Sequence, residues 1–372
     1  MTPSKYNLYA LSALILVATL IPSCTPKAPS NSVKETQPAP VKQPIQEGLP
    51  VDLLEVMEKE SNDVQTAKDK TGDTAPNAIV SITRTWKPGH KITVAFNGGS
   101  PELRSKIANA VIAWSNAANI SFDLGNVAAG QFREWSALDT TYKSEIRIAF
   151  EHDSDGQYWS AIGKDSINPI KRRPNMPSMN FEGFVQDLPD SWEGTVLHEF
   201  GHALGFQHEH QSTVSSCEEE YRWDDDPGYM PKVDVYNQYI PDDANRRPGI
   251  YTLLGGAPNY WSRSKIDLNL RKFAPSTDWF LTPFDRNSIM RYYFTPAMYK
   301  DLSLSSQSGC YGPQADTLST GDMQAAAAMY PRDKKEIKTL TDRKNLLIKK
   351  LLSVKALPQG VRDQLRILTQ TK

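Results

Sequence analysis

Apolar residues recur along the chain with periods that predict distinct elements. In Lys91-Ile92-Thr93-Val94-Ala95-Phe96 the period is two, which predicts a half-buried strand, and Arg84 to Gly89 reads as the turn that feeds it. From Pro101 to Ala118 the residues Leu103, Ile107, Ala110, Val111 and Trp114 share one stripe, the pattern of an amphipathic helix lying behind a sheet. Ile120-Ser121-Phe122 and Ile146 to Phe150 read as further strands. Thr317 to Asp322 followed by the alanine-rich Met323 to Tyr330 reads as a capped helix, with Ser319 or Thr320 at its N-cap and Asp322 near its positive end. Beyond Pro331, Ile337, Leu340, Leu347, Leu351 and Val354 again fall on one helical face.

The ends of the chain have other patterns. Lys5 precedes an apolar run from Leu8 to Ile21 that is short for a membrane span and ends Leu20-Ile21-Pro22-Ser23-Cys24. This is similar to a bacterial lipoprotein signal, which implies a signal peptide over residues 1–23 and a lipid on Cys24. The alternative is complete secretion after ordinary signal cleavage. Pro, Ser, Thr, Lys and Gln dominate from Thr25 to Pro50, so residues 24–75 read as a disordered tether or an inhibitory prosegment. The extension over residues 332–372 is basic and helical, either touching anionic lipid or a polyanionic wall, or packed on the main domain by its apolar stripe. At 372 residues with formal net charge −1, the chain can bury a full core and carries no global bias toward nucleic acid.

The candidate chemistry is concentrated in His198-Glu199-Phe200-Gly201-His202-Ala203-Leu204-Gly205-Phe206-Gln207-His208. Positions i and i+4 share a helix face, so His198 and His202 can close on one metal ion, while Gly205 can take the left-handed conformation that turns His208 back as a third ligand. Three nitrogen ligands leave a fourth position for water, the arrangement of a catalytic zinc site. Glu199, one step around the helix, is placed as general base beside that position.

This motif, Gly194-Thr195-Val196-Leu197 before it, Glu209 after it, and Ser288-Ile289-Met290 with Tyr292 downstream together resemble the astacin-like zinc metalloendopeptidases of the metzincin clan. The likeness covers roughly residues 79–331, within a catalytic domain placed at residues 76–331. It implies an α+β fold with a twisted, mostly parallel sheet and two long helices in an upper subdomain, an irregular lower subdomain, and an active-site cleft between them. It also implies one catalytic Zn2+, Met290 as the floor beneath the metal, and Tyr292 as a resting ligand that turns to stabilise the tetrahedral oxyanion. Trp159 to Gly163 would precede the cleft rim, and Ser178-Met179-Asn180-Phe181 would be the edge strand on which an extended peptide binds. Family proforms are held inactive by an aspartate on the metal, and Gly72-Asp73 lies upstream, though Lys70 stands where the family has an aromatic residue. Mature members hold their new amino terminus near the glutamate matching Glu209.

Setting Cys24 aside, Cys217 and Cys310 form an even pair in an exported chain, which predicts one disulfide closing the segment between them, against the alternative of two free thiols. This departs from the four half-cystines usual in the family. Asp224-Asp225-Asp226 suits either calcium or, more simply, a solvated acidic loop. The sequence therefore predicts an exported, lipid-anchored zinc endopeptidase of protein or peptide substrates, with no nucleic-acid partner. Two other readings are a cell-surface binding protein on the same scaffold and a zinc hydrolase of cell-wall peptide cross-links.

Overall fold

A computed structural model describes residues 47–50, 52–56, 59, 83–151, 157–273, 282–303, 308–355 and 357–370. The signal segment, Cys24, Gly72 and Asp73 lie outside them. A five-stranded sheet is built from β1 (Lys91–Phe96), β2 (Ser121–Asp123), β3 (Ile146–Ala149), β4 (Tyr158–Ser160) and β5 (Met179–Phe181), in the spatial order β2-β1-β3-β5-β4. The first four in that order are parallel, and β4 runs antiparallel to β5. The edge strand is therefore Tyr158–Ser160, and Met179–Phe181 is the strand inside it. Three residues carry too little alternation to reveal which of the two lies outermost.

The stripe from Pro101 to Ala118 forms two helices, α1 (Pro101–Ala110) and α2 (Ile112–Ala117). Ser100 caps α1 by accepting a hydrogen bond from the Leu103 N–H, and Pro101 occupies the first turn, where no amide donor is needed. Ile107, Val111 and Trp114 are fully buried against α3 (Trp192–Ala203), whose residues 194–203 are buried on every side. A helix buried all round needs its C-terminal end tied, because its last carbonyls cannot reach water. The Trp114 indole donates to the Leu197 carbonyl at 3.0 Å, the Trp86 indole to Ala203 at 2.7 Å, and the Tyr330 hydroxyl to Leu204.

Below the helix, a second core gathers Cys217, Tyr221, Tyr292, Phe294, Tyr299 and Cys310 with residues of α4 (Ile250–Gly255) and α5 (Arg263–Leu270). Cys217 and Cys310 are joined by a disulfide across 93 residues of sequence. The acidic run is committed to local structure. Asp225 accepts from the Gly249 N–H and the Thr252 hydroxyl, and Asp226 from the Arg247 N–H and the Arg222 guanidinium.

α6 (Thr320–Met329) begins in a capping box, with the Ser319 hydroxyl accepting from the Asp322 N–H and the Asp322 carboxylate from the Ser319 N–H. The extension folds as two helices, α7 (Lys334–Ser353) and α8 (Gln359–Gln370), where one stripe had suggested a single helix. Leu347, Ile348 and Leu351 bury against Val361, Leu365 and Leu368. Arg362 reaches back to the carbonyls of Leu352 and Val354, satisfying acceptors that the end of α7 leaves open. Among the described residues no helix is long and apolar enough to cross a membrane.

Lys344 ties α7 to the main domain by donating to the Thr85 carbonyl at 2.7 Å. Its stem is half-buried but its ammonium group is enclosed, and burial, reinforced by Lys164, lowers its pKa to about 7. Between there and the ordinary lysine value of roughly 10.4, the folded chain holds a neutral amine while the unfolded chain binds a proton, so stability rises with pH across that window. Below about pH 7 the penalty of the enclosed charge is felt in full. Lys344→Met is therefore expected to raise the melting temperature relative to wild type, by a margin that shrinks from pH 7 to pH 10. Calorimetry at several pH values checks it, and a constant margin would contradict the account.

Candidate metal centre

α3 carries His198 and His202 on one face, and its end is set by Gly205. There φ is +101°, a conformation that costs glycine little and other residues more. The Phe206 N–H returns to the Gly201 carbonyl at 3.0 Å, and the chain reverses to bring in His208. Each imidazole then commits its Nδ1–H outward. His198 donates to the Ile289 carbonyl at 2.6 Å, His202 to the Phe206 carbonyl at 2.8 Å, and His208 to Gln211 Oε1 at 2.9 Å. These bonds fix the orientation of each ring, so all three Nε2 atoms face a common point, offering lone pairs to a metal when neutral and N–H donors to Glu47 when protonated.

The Nε2 atoms of His202 and His208 lie 3.1 Å apart. Two facing lone pairs at that distance repel unless a cation sits between them. The spacing is close to the edge of about 3.3 Å of a tetrahedron with zinc–nitrogen bonds of about 2.0–2.1 Å. The donor set thus fits zinc, and among the described residues this is the one group of histidine, cysteine and carboxylate side chains that converges closely enough to hold a metal.

The fourth member is Glu47, which the motif reading did not identify. Its carboxylate lies 3.0 Å from His198 Nε2, 3.1 Å from His202 Nε2 and 2.6 Å from His208 Nε2, and all four ligand atoms fall within 4.8 Å of one another. Burial alone would raise the Glu47 pKa, but His208 and His202, with hydrogen bonds from His198 and His202, hold it well below the usual carboxylate range. Among the described residues, the carboxylate that reaches the metal position from upstream is Glu47; Asp73 lies outside them. A lone glutamate in a stretch rich in proline and glutamine, 151 residues before His198, carries no spacing signal.

Glu47 is held there by its neighbours in sequence. It bridges Tyr158 in parallel, and the Gly48 N–H donates to the Tyr158 carbonyl at 2.9 Å. The Gln157 side chain crosses directly over Gly48 and accepts from Lys265 of α5 at 3.0 Å, so strand edge and lower wall meet above the segment. Leu49 and Leu53 are buried against Trp159.

Glu199 is fully buried, and among the described residues neither of its carboxylate oxygens has a hydrogen-bond partner. Burial, then the charge of Glu47, raises its pKa well above the ordinary value. A buried carboxylate without a hydrogen-bond partner costs stability, which makes the position a candidate for a functional one. Tyr292 reaches the same place, its ring 4.3 Å from that of His208, and its pKa is pushed well up by burial and by Glu47. His210, one step beyond Glu209, is buried and directed to the Asn269 carbonyl at 2.8 Å, away from the metal position.

Met290 lies directly under the histidine helix. A Cβ on Gly201 would stand 2.3 Å from Met290 Sδ, so the glycine is needed for this approach. The turn is clamped by Asp322, which accepts from the Ser288 hydroxyl at 2.6 Å and the Ile289 N–H at 2.8 Å while also capping α6. Glu209 joins it from the other side. Its N–H donates to the Met290 carbonyl at 2.8 Å, and its carboxylate accepts from the Asp285 N–H at 2.9 Å. A cavity of about 90 Å3 behind the turn is lined by Glu209, Asp285 and Asp322 among others.

The parallel sheet with one antiparallel edge, the two helices behind it, the histidine helix and the methionine turn are the elements that the resemblance to metzincin-type zinc proteases implies. Within that class the chain resembles the astacin-like zinc metalloendopeptidases. Among solved structures it is similar to myroilysin, at 29% identity over 68% of this chain and 98% of that one, with a TM-score of 0.49. A crystal structure of myroilysin gives 27% identity over 70% of this chain and 90% of that one, with a TM-score of 0.39. High choriolytic enzyme 1, a hatching enzyme zinc-protease from the medaka fish Oryzias latipes, gives 16% identity over 69% and 98%, with a TM-score of 0.38. No family model and no curated protein sequence matches the chain.

Gly201→Ala is expected to push Met290 out of its seat, at a cost of about 1–3 kcal/mol in stability. It should also loosen zinc binding by shifting the helix that carries two of the histidines. Denaturant unfolding and competition with a chromophoric chelator measure the two effects, and wild-type values for both would remove the steric argument.

Proposed function

We propose that the chain is a zinc endopeptidase held latent by its own upstream segment, with His198, His202 and His208 as protein ligands and Glu47 occupying the position that water takes in the active form. The observation that carries this reading is the pairing of three oriented imidazoles with a buried, partnerless Glu199. When bound, zinc would lower the pKa of water at the position Glu47 vacates and polarise the scissile carbonyl.

The chain's own residues supply the rest. A peptide extends the sheet by pairing with β4, whose outer edge is the one the upstream segment now covers. Glu199 takes a proton from the attacking water and delivers it to the departing amine. The positive charge that the three imidazoles would gather nearby brings its pKa down toward the working range of a base. The Tyr292 hydroxyl, a donor as well as an acceptor, stabilises the oxygen that becomes negative as the carbonyl carbon turns tetrahedral. The Cys217–Cys310 disulfide supports export. Lipid attachment at Cys24 and anchoring to a membrane surface complete the proposal, with residues 76–331 as the catalytic domain.

Glu199→Ala is expected to leave zinc content near one ion per chain while lowering cleavage of a denatured protein by roughly 10²- to 10⁴-fold. Unchanged cleavage would defeat the mechanism. Glu47→Ala in the full-length chain should raise activity above that of the unprocessed wild type, because the metal position loses its occupant. Equal activity before and after the substitution would show that the segment does not restrain the site.

A further inference from the structure

The upstream segment covers a second feature besides the metal position. Asp52 Oδ2 lies 2.7 Å from Arg172 Nη1, and Arg172, fully buried, places its guanidinium 4.7 Å over the Trp159 ring. Leu49 and Leu53 close on Trp159 from the same segment. Of these groups only Trp159 and Arg172 belong to the cleft wall. Beside them Arg84 and Lys171 both lie against the carboxylate of Asp165, at 3.1 and 3.0 Å. Once the segment departs, this wall presents an aromatic face beside a guanidinium fork, a combination suited to an aliphatic side chain next to a carboxylate.

The polarity of the segment indicates where a substrate would meet this wall. Residues 47 and 48 run parallel to β4 and put a side-chain carboxylate, and no peptide carbonyl, at the metal position. The more stable antiparallel pairing is open to a substrate. Its residues over Trp159 and Arg172 then precede the scissile bond. A chain extended from Glu47 to Pro50 would advance about 3.3 Å per residue, and the helical turn at 52–56 about 1.5 Å per residue. Asp52 therefore stands roughly 13 Å along the cleft, about four residues of an extended peptide.

We propose that Trp159 and Arg172 form a specificity subsite for an acidic side chain flanked by an aliphatic one, about four residues before the bond that is cut. Asp52 and Leu53 occupy this subsite in the latent form. The assignment rests on the peptidase reading of the same cleft.

The test uses the full-length chain carrying Glu199→Gln, so that bound peptide stays intact, together with Glu47→Ala, Asp52→Asn and Leu53→Ala to free the wall. Pairs of fluorescent extended peptides, differing only by Glu or Gln at one site, are titrated by anisotropy, with that site moved through positions three to five before the bond to be cut. At one of these positions the Glu peptide is expected to bind about tenfold more tightly. Arg172→Gln should bring that pair level, and Arg172→Lys should keep part of the difference. Equal affinities at every position, no binding of either peptide, or a preference that survives Arg172→Gln overturns the proposal. Because nothing is hydrolysed in this assay, a failure of Glu199 as base would appear in the cleavage assay alone.

Discussion

The site depends on three hydrogen bonds that never touch the metal position. By donating Nδ1–H to Ile289, Phe206 and Gln211, the imidazoles of His198, His202 and His208 are fixed in one orientation. Two of those acceptors are backbone carbonyls, one in the methionine turn and one in the reversal after the helix. The turn is in turn fixed by Asp322, which belongs to the cap of a different helix. Positions of individual ligands are thus set by where whole elements meet. The cost is a cluster of lone pairs at about 3 Å, which the fold tolerates because a cation, or the Glu47 carboxylate with shared protons, can occupy the centre.

Glu47 and Glu199 divide the carboxylate work of the cleft between them. One is drawn down by histidines on three sides, while the other is raised by burial and by the first. Two carboxylates in one enclosed space cannot both be comfortable ions, so each biases the other. Withdrawal of the upstream segment removes the charge that opposes ionisation of Glu199. In the proposed mechanism, the event that opens the cleft would therefore also favour the protonation state a base requires.

What the sequence made legible follows physical distance along the chain. His198, Glu199, His202, Gly205 and His208 lie within one helix and its turn, so their convergence is a matter of local geometry and could be read from spacing alone. Met290 and Tyr292 could be placed only through the resemblance, because nothing in a short polar turn indicates which element it will lie beneath. The disulfide was legible from cysteine parity. The edge strand was misassigned between two three-residue strands, and the stripe at Pro101 to Ala118 concealed a break at Val111, since Val111 keeps right-handed helical dihedrals and the stripe runs on through it. Glu47 and Arg172 were not legible at all. Each becomes meaningful through a partner more than a hundred residues away, and neither sits in a periodic context.

The covalent link between Cys217 and Cys310 encloses the entire lower wall, including the turn with Met290 and the ring of Tyr292. A backbone cut anywhere inside that loop leaves both fragments attached to the same body. A single nick there would change the number of chain ends without shedding any part of the machine.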